Sequence, residues 1–355
     1  MARILTYYSP LFLEHADPLG EHPECPQRLT VAREAILRVA GEAATIESIG
    51  YFDEGIVLSI HSRDYVEFIK HESARGFHYI DPDTYVCERT FDAATAAVAA
   101  AWIAAERSLK EDLPVLALVR PPGHHAGRNG RALNAPTNGF CIFNNAVAAV
   151  RRFRELGLRT LVLDFDAHHG NGTQEILWRE EVPHIDLHEW GAYPGSGWFT
   201  DVGGDRIGCK VNIPLPHGGG DQAYLWALRE VVLPVIAGFR PDAIVVSAGF
   251  DAHTGDLMTT LQLSTKVFRL LGSIISGLRK CGLSEGIVAV LEGGYLPSLA
   301  DAFAGFITGM LNPVTLDEVF DRLPRSPGVT EDWFRRGCEA LVARLRRVGL
   351  VGDWR

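Results

Sequence analysis

The stretch Leu161–Gln174, LVLDFDAHHGNGTQ, constrains the fold more than any other. Its apolar head, bounded by Thr160, reads as a buried parallel strand. Asp164, Asp166, His168 and His169 come at and beyond the carboxyl end of that strand. In open α/β sheets this end is where ligands bind. Asp166 and His168 are two apart and point the same way on an extended backbone. A carboxylate and an imidazole aimed together are half of a divalent-metal site. Asp164 shares their parity, so the three residues need not do one job.

Other apolar runs end in the same manner. Val115–Val119 reads as a strand, and residues 120–140, RPPGHHAGRNGRALNAPTNGF, follow as a long loop carrying His124 and His125. Ala243–Ser247 leads to Asp251, and Ile287–Leu291 leads to Glu292, Gly293, Gly294 and Tyr295. Further strands are expected at Arg3–Tyr8, Thr45–Tyr51, Val182–Leu187 and Cys209–Ile213. Helices are expected from Arg28 to Ala40 and over Ser62–Glu72, Phe91–Leu109 and Asn144–Leu156. Four more follow: Gln222–Ala237, broken near its end by Pro234, then Leu263–Lys280, Pro297–Met310 and Glu331–Val348. Residues 80–87 and 312–329 read as connections. Strands alternate with helices from residue 115 onward, the pattern of an α/β fold with a mostly parallel sheet covered by helices on both faces. With no repeat, low-complexity tract or linker, residues 1–355 read as one domain closed by the amphipathic helix at 331–348.

Composition narrows the function classes. The net charge of −10 argues against nonspecific nucleic-acid binding and against an anionic membrane surface. Hydrophobic residues make up 47%, enough for a substantial core. The six cysteines lie far apart with no C-x-x-C pair, which fits free buried thiols in a reducing compartment. The N-terminal MARILTYYSP has no apolar signal region, and no apolar run approaches the roughly 18 residues of a membrane span. A cytoplasmic setting is the expectation, the acidic balance is compatible with cationic substrates, and homo-oligomerisation is left open.

In a parallel sheet the polar strand ends lie on one rim. Asp166, His168 and Asp251 supply two carboxylates and one imidazole, and three protein ligands with an open position make a catalytic zinc site. His124 and His125 stand beside it as general base and acid, Asp164 can orient one of them, and Tyr295 can donate its hydroxyl to a developing oxyanion. These are the parts needed for metal-assisted hydrolysis of an amide.

The chain resembles the superfamily of histone deacetylases and acetylpolyamine amidohydrolases. The motifs are RPPGHHA at 120–126, NGFCIFNN at 138–145, DFDAHHGNGTQ at 164–174, SAGFD at 247–251 and LEGGY at 291–295, with HPECPQR at 22–28 matching the N-terminal loop. The resemblance implies an arginase-like α/β fold with a sheet of about eight strands. It implies Zn²⁺ held by Asp166, His168 and Asp251, with Fe²⁺ left open because two carboxylates soften the preference for zinc. His125 would be the general base for the metal-activated water, His124 its partner held by Asp164, and Tyr295 the group polarising the scissile carbonyl. Phe140, Gly139 and Tyr193 would flank a narrow channel, Gly293 and Gly294 would allow close backbone approach there, and Asp83 would hold the substrate backbone.

Three positions depart from, or sort within, the family pattern. Asn171 replaces an aspartate that pairs with the second histidine in some members, which disfavours His125 as imidazolium. Asp186 stands where many members have a serine ligating a structural monovalent cation, so a K⁺ site is retained only as altered. Met258 takes the place of the glutamate that one polyamine-specific branch uses, which favours N-acetyl-lysine-type substrates, with acetylpolyamine hydrolysis as the alternative. An arginase-type ureohydrolase would need an aspartate where Gly170 stands, and a non-catalytic binding module would have lost a ligand, base or tyrosine that this chain keeps.

Overall fold

The computed structural model describes residues 3–49, 52–204, 208–329 and 331–351. Eight strands form its central sheet: β1 (Ile4–Tyr8), β2 (Ala44–Ser48), β3 (Val115–Ala117), β4 (Thr160–Asp164), β5 (His184–Glu189), β6 (Lys210–Leu215), β7 (Ala243–Ala248) and β8 (Gly286–Leu291). They lie in the order β6-β5-β4-β7-β8-β3-β1-β2, every neighbouring pair parallel. Strands β3 to β8 are buried along their whole length; β3, β4, β7 and β8 are accordingly near-continuous apolar runs, whereas β5 (HIDLHE) and β6 (KVNIPL) alternate and bury polar side chains as well. The edge strand β2 is half-exposed and more polar.

The strand order positions the site. From β4 the chain winds outward to β5 and β6, then returns to place β7 on the opposite side of β4. The carboxyl ends of β4 and β7 therefore meet at a point where the winding reverses, the place at which open α/β sheets bind their ligands. Ser247 of β7 and Asp186 of β5 both pair with Asp164, so these neighbours are set by register.

Helices pack tightly over the sheet. Helices Thr265–Lys280 and Leu299–Met310 approach so closely that a Cβ on Gly309 would lie 1.9 Å from the Arg269 carbonyl oxygen. Only glycine permits that contact.

Several expectations are corrected. A seven-residue helix, Glu54–Ile60, opens where Asp53 caps the Gly55 N–H; no periodic pattern announces so short an element. The connection at 80–87 contributes Tyr85–Val86 to a small ribbon with His78–Tyr79, and the long loop holds a second ribbon, Ala126–Gly127 with Gly130–Arg131. Pro234 does not break its helix: a π-helical turn over Leu228–Val232 precedes it and absorbs the missing donor. The 312–329 connection contains the helix Leu316–Phe320, opened by a capping box at Thr315. The second strand ends at Ser48, so Ile49 lies outside it, and the rest of the expected extension, to Tyr51, falls outside the described residues. Among the described residues no helix is long and apolar enough to cross a membrane. None of the six cysteines is in a disulfide; four are buried, Cys25 is half-buried and Cys281 is exposed.

Candidate active site

Strand β4 stops at Asp164 because side chains there begin to take backbone donors. Asp164 Oδ1 accepts the Asp166 N–H at 3.1 Å, and Asp166 Oδ1 accepts the His168 N–H at 2.9 Å. These two Asx-type bonds turn the chain so that Asp166 and His168 face Asp251, which leaves β7. The Ala167 N–H donates to Asp251 Oδ1 at 2.8 Å, and the Gly293 N–H donates to Asp166 Oδ2 at 2.7 Å. A Cβ on Gly293 would lie 2.4 Å from an Asp251 oxygen and 2.5 Å from an Asp166 oxygen, so this wall must be glycine.

His168 Nδ1 lies 2.9 Å from Asp251 Oδ2 and 3.2 Å from Asp166 Oδ1. One nitrogen faces two carboxylate oxygens, and the three ligand atoms lie within 4.8 Å of one another with all three residues buried. Burial opposes charge on His168, but Asp251 and Asp166 push its pKa up to about 10. Burial, and then Asp166, push Asp251 up to about 7. Two crowded carboxylates and an imidazole converging in a buried space fit a divalent cation.

His124 and His125 are both nearly inaccessible, yet their surroundings differ in sign. His124 Nδ1 sits 3.0 Å from Asp164 Oδ2, and its Nε2 lies 3.7 Å from Asp166 Oδ1. Burial works against the imidazolium, but Asp166 and Asp164 outweigh it and hold the pKa well above the ordinary value. His125 is pushed well below it by burial and by the charges of His124 and His168. Asn171 donates its amide to the Ala132 carbonyl, which leaves its oxygen 2.8 Å from His125 Nδ1. The Nδ1–H therefore donates to Asn171 and Nε2 carries the lone pair. The loop is held from below by Glu292, whose Oε2 accepts the Gly123 and His124 N–H groups at 2.8 and 3.1 Å.

Tyr295 is 7% exposed, and burial raises its pKa well above 10, with Arg28 opposing. Its hydroxyl is thus a donor. The Arg28 guanidinium lies 4.9 Å from the ring centroid and donates to the carbonyls of Gly294, at 2.7 Å, and of Glu292. Arg28 belongs to a fully buried cluster in which Glu24 accepts from both Arg28 and Arg120. Only the cation at the start of the first helix, unfavourable for the helix dipole, hints at this cluster in the sequence.

Phe140, Gly139 and Tyr193 lie together beside His125 and Tyr295. Phe140 adopts φ +70° next to Gly139 at φ +56°, and its ring stands perpendicular to Tyr295 at 6.0 Å. The Tyr193 ring meets His125 edge-on at 4.8 Å, and its hydroxyl donates to the Thr137 carbonyl at 2.8 Å. A Cβ on Gly139 would lie 2.6 Å from both His125 and Tyr193. Gly294, at φ +105°, packs on Phe250. Both oxygens of Asp83 are engaged: Oδ2 accepts from the Thr137 hydroxyl at 2.6 Å and Oδ1 from the Thr84 hydroxyl at 2.8 Å. Asp83 thus braces the wall that carries Tyr193. Met258 is half-exposed on the loop that follows Asp251. Thr137, Asp256 and Glu292 were not singled out from the sequence; of these only Glu292, a lone acid at a buried strand end, carries a signal there.

Asp186 lies in a second buried group with Asp164 and His184. Its Oδ2 accepts the Gly170 N–H at 2.8 Å, its Oδ1 is 2.6 Å from His188 Nδ1, and burial raises its pKa to about 8. A neighbouring imidazole and a doubly engaged carboxylate match poorly with an alkali ion, which takes oxygen ligands.

Known proteins share this architecture. The crystal structure of the HDA15 HD domain superposes with a TM-score of 0.82 at 28% identity, covering 98% of this chain and 94% of the other. A probable deacetylase of Methanothermobacter thermautotrophicus is 40% identical over 261 residues, 72% of this chain and 75% of its own length. A histone deacetylase-like amidohydrolase of Pseudomonas aeruginosa is 34% identical over 340 residues, 92% of this chain and 87% of its own. The histone deacetylase domain model matches residues 22–310, so the chain belongs to the histone deacetylase family of metal-dependent hydrolases.

Proposed function

We propose that this deacetylase holds one zinc ion through Asp166, His168 and Asp251 and removes acetyl groups from N-acetyl-lysine-type alkylamines. The observation that carries the reading is the convergence of His168 Nδ1 and two buried carboxylates beside a pair of histidines with opposite proton affinities. When bound, the ion supplies Lewis-acid polarisation of the amide carbonyl and lowers the pKa of water. His125, neutral and with Nε2 free, takes the proton from the attacking water. His124, kept charged by Asp164 and Asp166, stabilises the negative charge that develops. The Tyr295 hydroxyl donates to the carbonyl oxygen as it becomes an oxyanion. The proton held at His125 then passes to the leaving amine, so that water and amide become acetic acid and the free amine.

Phe140 and Tyr193 form the walls of the channel in this reading. Met258 presents an apolar side chain where a polyamine enzyme would need a carboxylate, which supports the lysine-type substrate. Six cysteines with no disulfide between them support a reducing, cytoplasmic setting. Side-by-side kinetics on zinc-loaded protein with an acetyl-lysine peptide and acetylspermidine test the assignment. A higher kcat/KM for the peptide is expected; a clear preference for the polyamine would overturn it.

A further inference from the structure

We infer that Asp256 is a positioning residue that ties an apolar lip of the channel to Tyr295, so that substrate contact at the lip is converted into placement of the tyrosine hydroxyl. The role presupposes the deacylation assigned above to Tyr295.

The segment after Asp251 crosses the rim of the sheet before entering helix Thr265–Lys280. It is pinned at its far side, where the Thr259 hydroxyl donates to the Asp251 carbonyl at 3.0 Å and the Thr260 N–H donates to Glu189 at 2.8 Å. Between these anchors, Asp256 turns inward and is only 7% exposed. Its Oδ1 accepts the Met258 N–H at 3.0 Å. Its Oδ2 accepts the Tyr295 N–H at 2.8 Å and the Ser298 hydroxyl at 3.1 Å. One carboxylate thus joins the loop at 255–258 to the loop at 295–298. Among the described residues no lysine or arginine forms an ion pair with it. All its hydrogen bonds come from neutral donors, with Arg28 attracting it from further away, and a buried carboxylate so held is costly.

What the two loops display distinguishes this arrangement from a plain loop staple. Leu257 is 90% exposed, and Met258 and Leu296, the residue after Tyr295, are 36% and 38% exposed. One largely exposed and two partly exposed apolar side chains sit on the two segments that Asp256 binds together. They suit an acylated amine with an apolar group beside it. A force on Leu257 or Met258 is passed through the Asp256 carboxylate to the Tyr295 backbone without crossing any other residue. Binding at the lip is then spent on orienting the hydroxyl, and it appears in kcat rather than in KM.

Two acetyl-lysine peptides that differ only in leucine or serine beside the acetyl-lysine test the coupling on metal-loaded protein. Wild type should favour the leucine peptide in kcat, and Leu257→Ser should abolish the preference. Asp256→Ala should lower kcat by about 10- to 100-fold with KM and metal content unchanged, because a small misplacement of a reacting group has that effect. It should also erase the preference, and adding Leu257→Ser should then change nothing further. Asp256→Asn keeps one acceptor oxygen and turns the other into a donor. It should break one tie and lose the preference while the protein stays folded. A preference that survives in Asp256→Asn, or effects of the two sites that simply multiply, overturns the coupling while leaving the deacylation intact. A wild type inactive on both peptides overturns both.

Discussion

The floor of the site and its mouth are built by different means. On the floor, Asp164, Asp166, Asp251 and Glu292 are fully buried, and each accepts backbone N–H groups from segments that leave the sheet. Their positions follow from strand register and allow no slack. At the mouth, Phe140 and Gly139 sit on loops in the left-handed region, Tyr193 hangs from one hydrogen bond to Thr137, and Leu257 stands almost free. A rigid scaffold carrying adjustable loops separates chemistry from selection. Damage to the floor should abolish the reaction, whereas changes at the mouth should retune it.

The largest effect should come from the floor itself. Asp251→Ala should lose the bound metal entirely, measured by elemental analysis, and turnover should fall to background; full metal retention would show that the crowded triad is not the metal centre. Beneath the floor, Glu24→Gln leaves Arg28 and Arg120 buried without their anion. It should destabilise the fold by about 3–5 kcal/mol in denaturant titrations. The pH dependence follows from the same group. Burial raises the Glu24 pKa, but Arg120 overrides it and lowers it from 4.5 to about 2. Its contribution is therefore complete above the unfolded value and disappears as pH falls toward the folded one. The variant should lack that part of the acid sensitivity; an unchanged acid transition would argue that Glu24 is not the anion holding the cluster.

Tyr295 lies where floor meets mouth. Tyr295→Phe should lower kcat by about 10²–10³ while metal content and stability stay constant. Near-normal turnover would show that the hydroxyl is not used. The smallest effect should be at the outer mouth. Met258→Glu should raise the relative kcat/KM for acetylspermidine only a few-fold, the size of an exposed ion pair of about 0.2–1 kcal/mol. If this single change reversed the preference completely, selection would not be shared among the loops as the comparison holds.

Much of this arrangement is written locally in the chain. The apolar run into Asp164, the shared parity of Asp166 and His168, and the acid and tyrosine beyond β7 and β8 are visible because strand burial and strand-end chemistry depend on near neighbours. Short elements escape that reading. Glu54–Ile60 is too brief for a helical period, and the π turn before Pro234 depends on how the helix packs. Other properties have no local signal at all. Glu24 and Arg120 are 96 residues apart, and Arg28 reaches Gly294 across 266. His124 and His125 are adjacent and almost equally buried, and only their neighbours separate them: carboxylates surround the first, positive charge the second. The sequence by itself determined which chemical groups stand at the strand ends. The tertiary structure alone decided their proton affinities and their mutual distances, because electrostatic energy depends on through-space separation and desolvation, and the parallel winding of the sheet sets both.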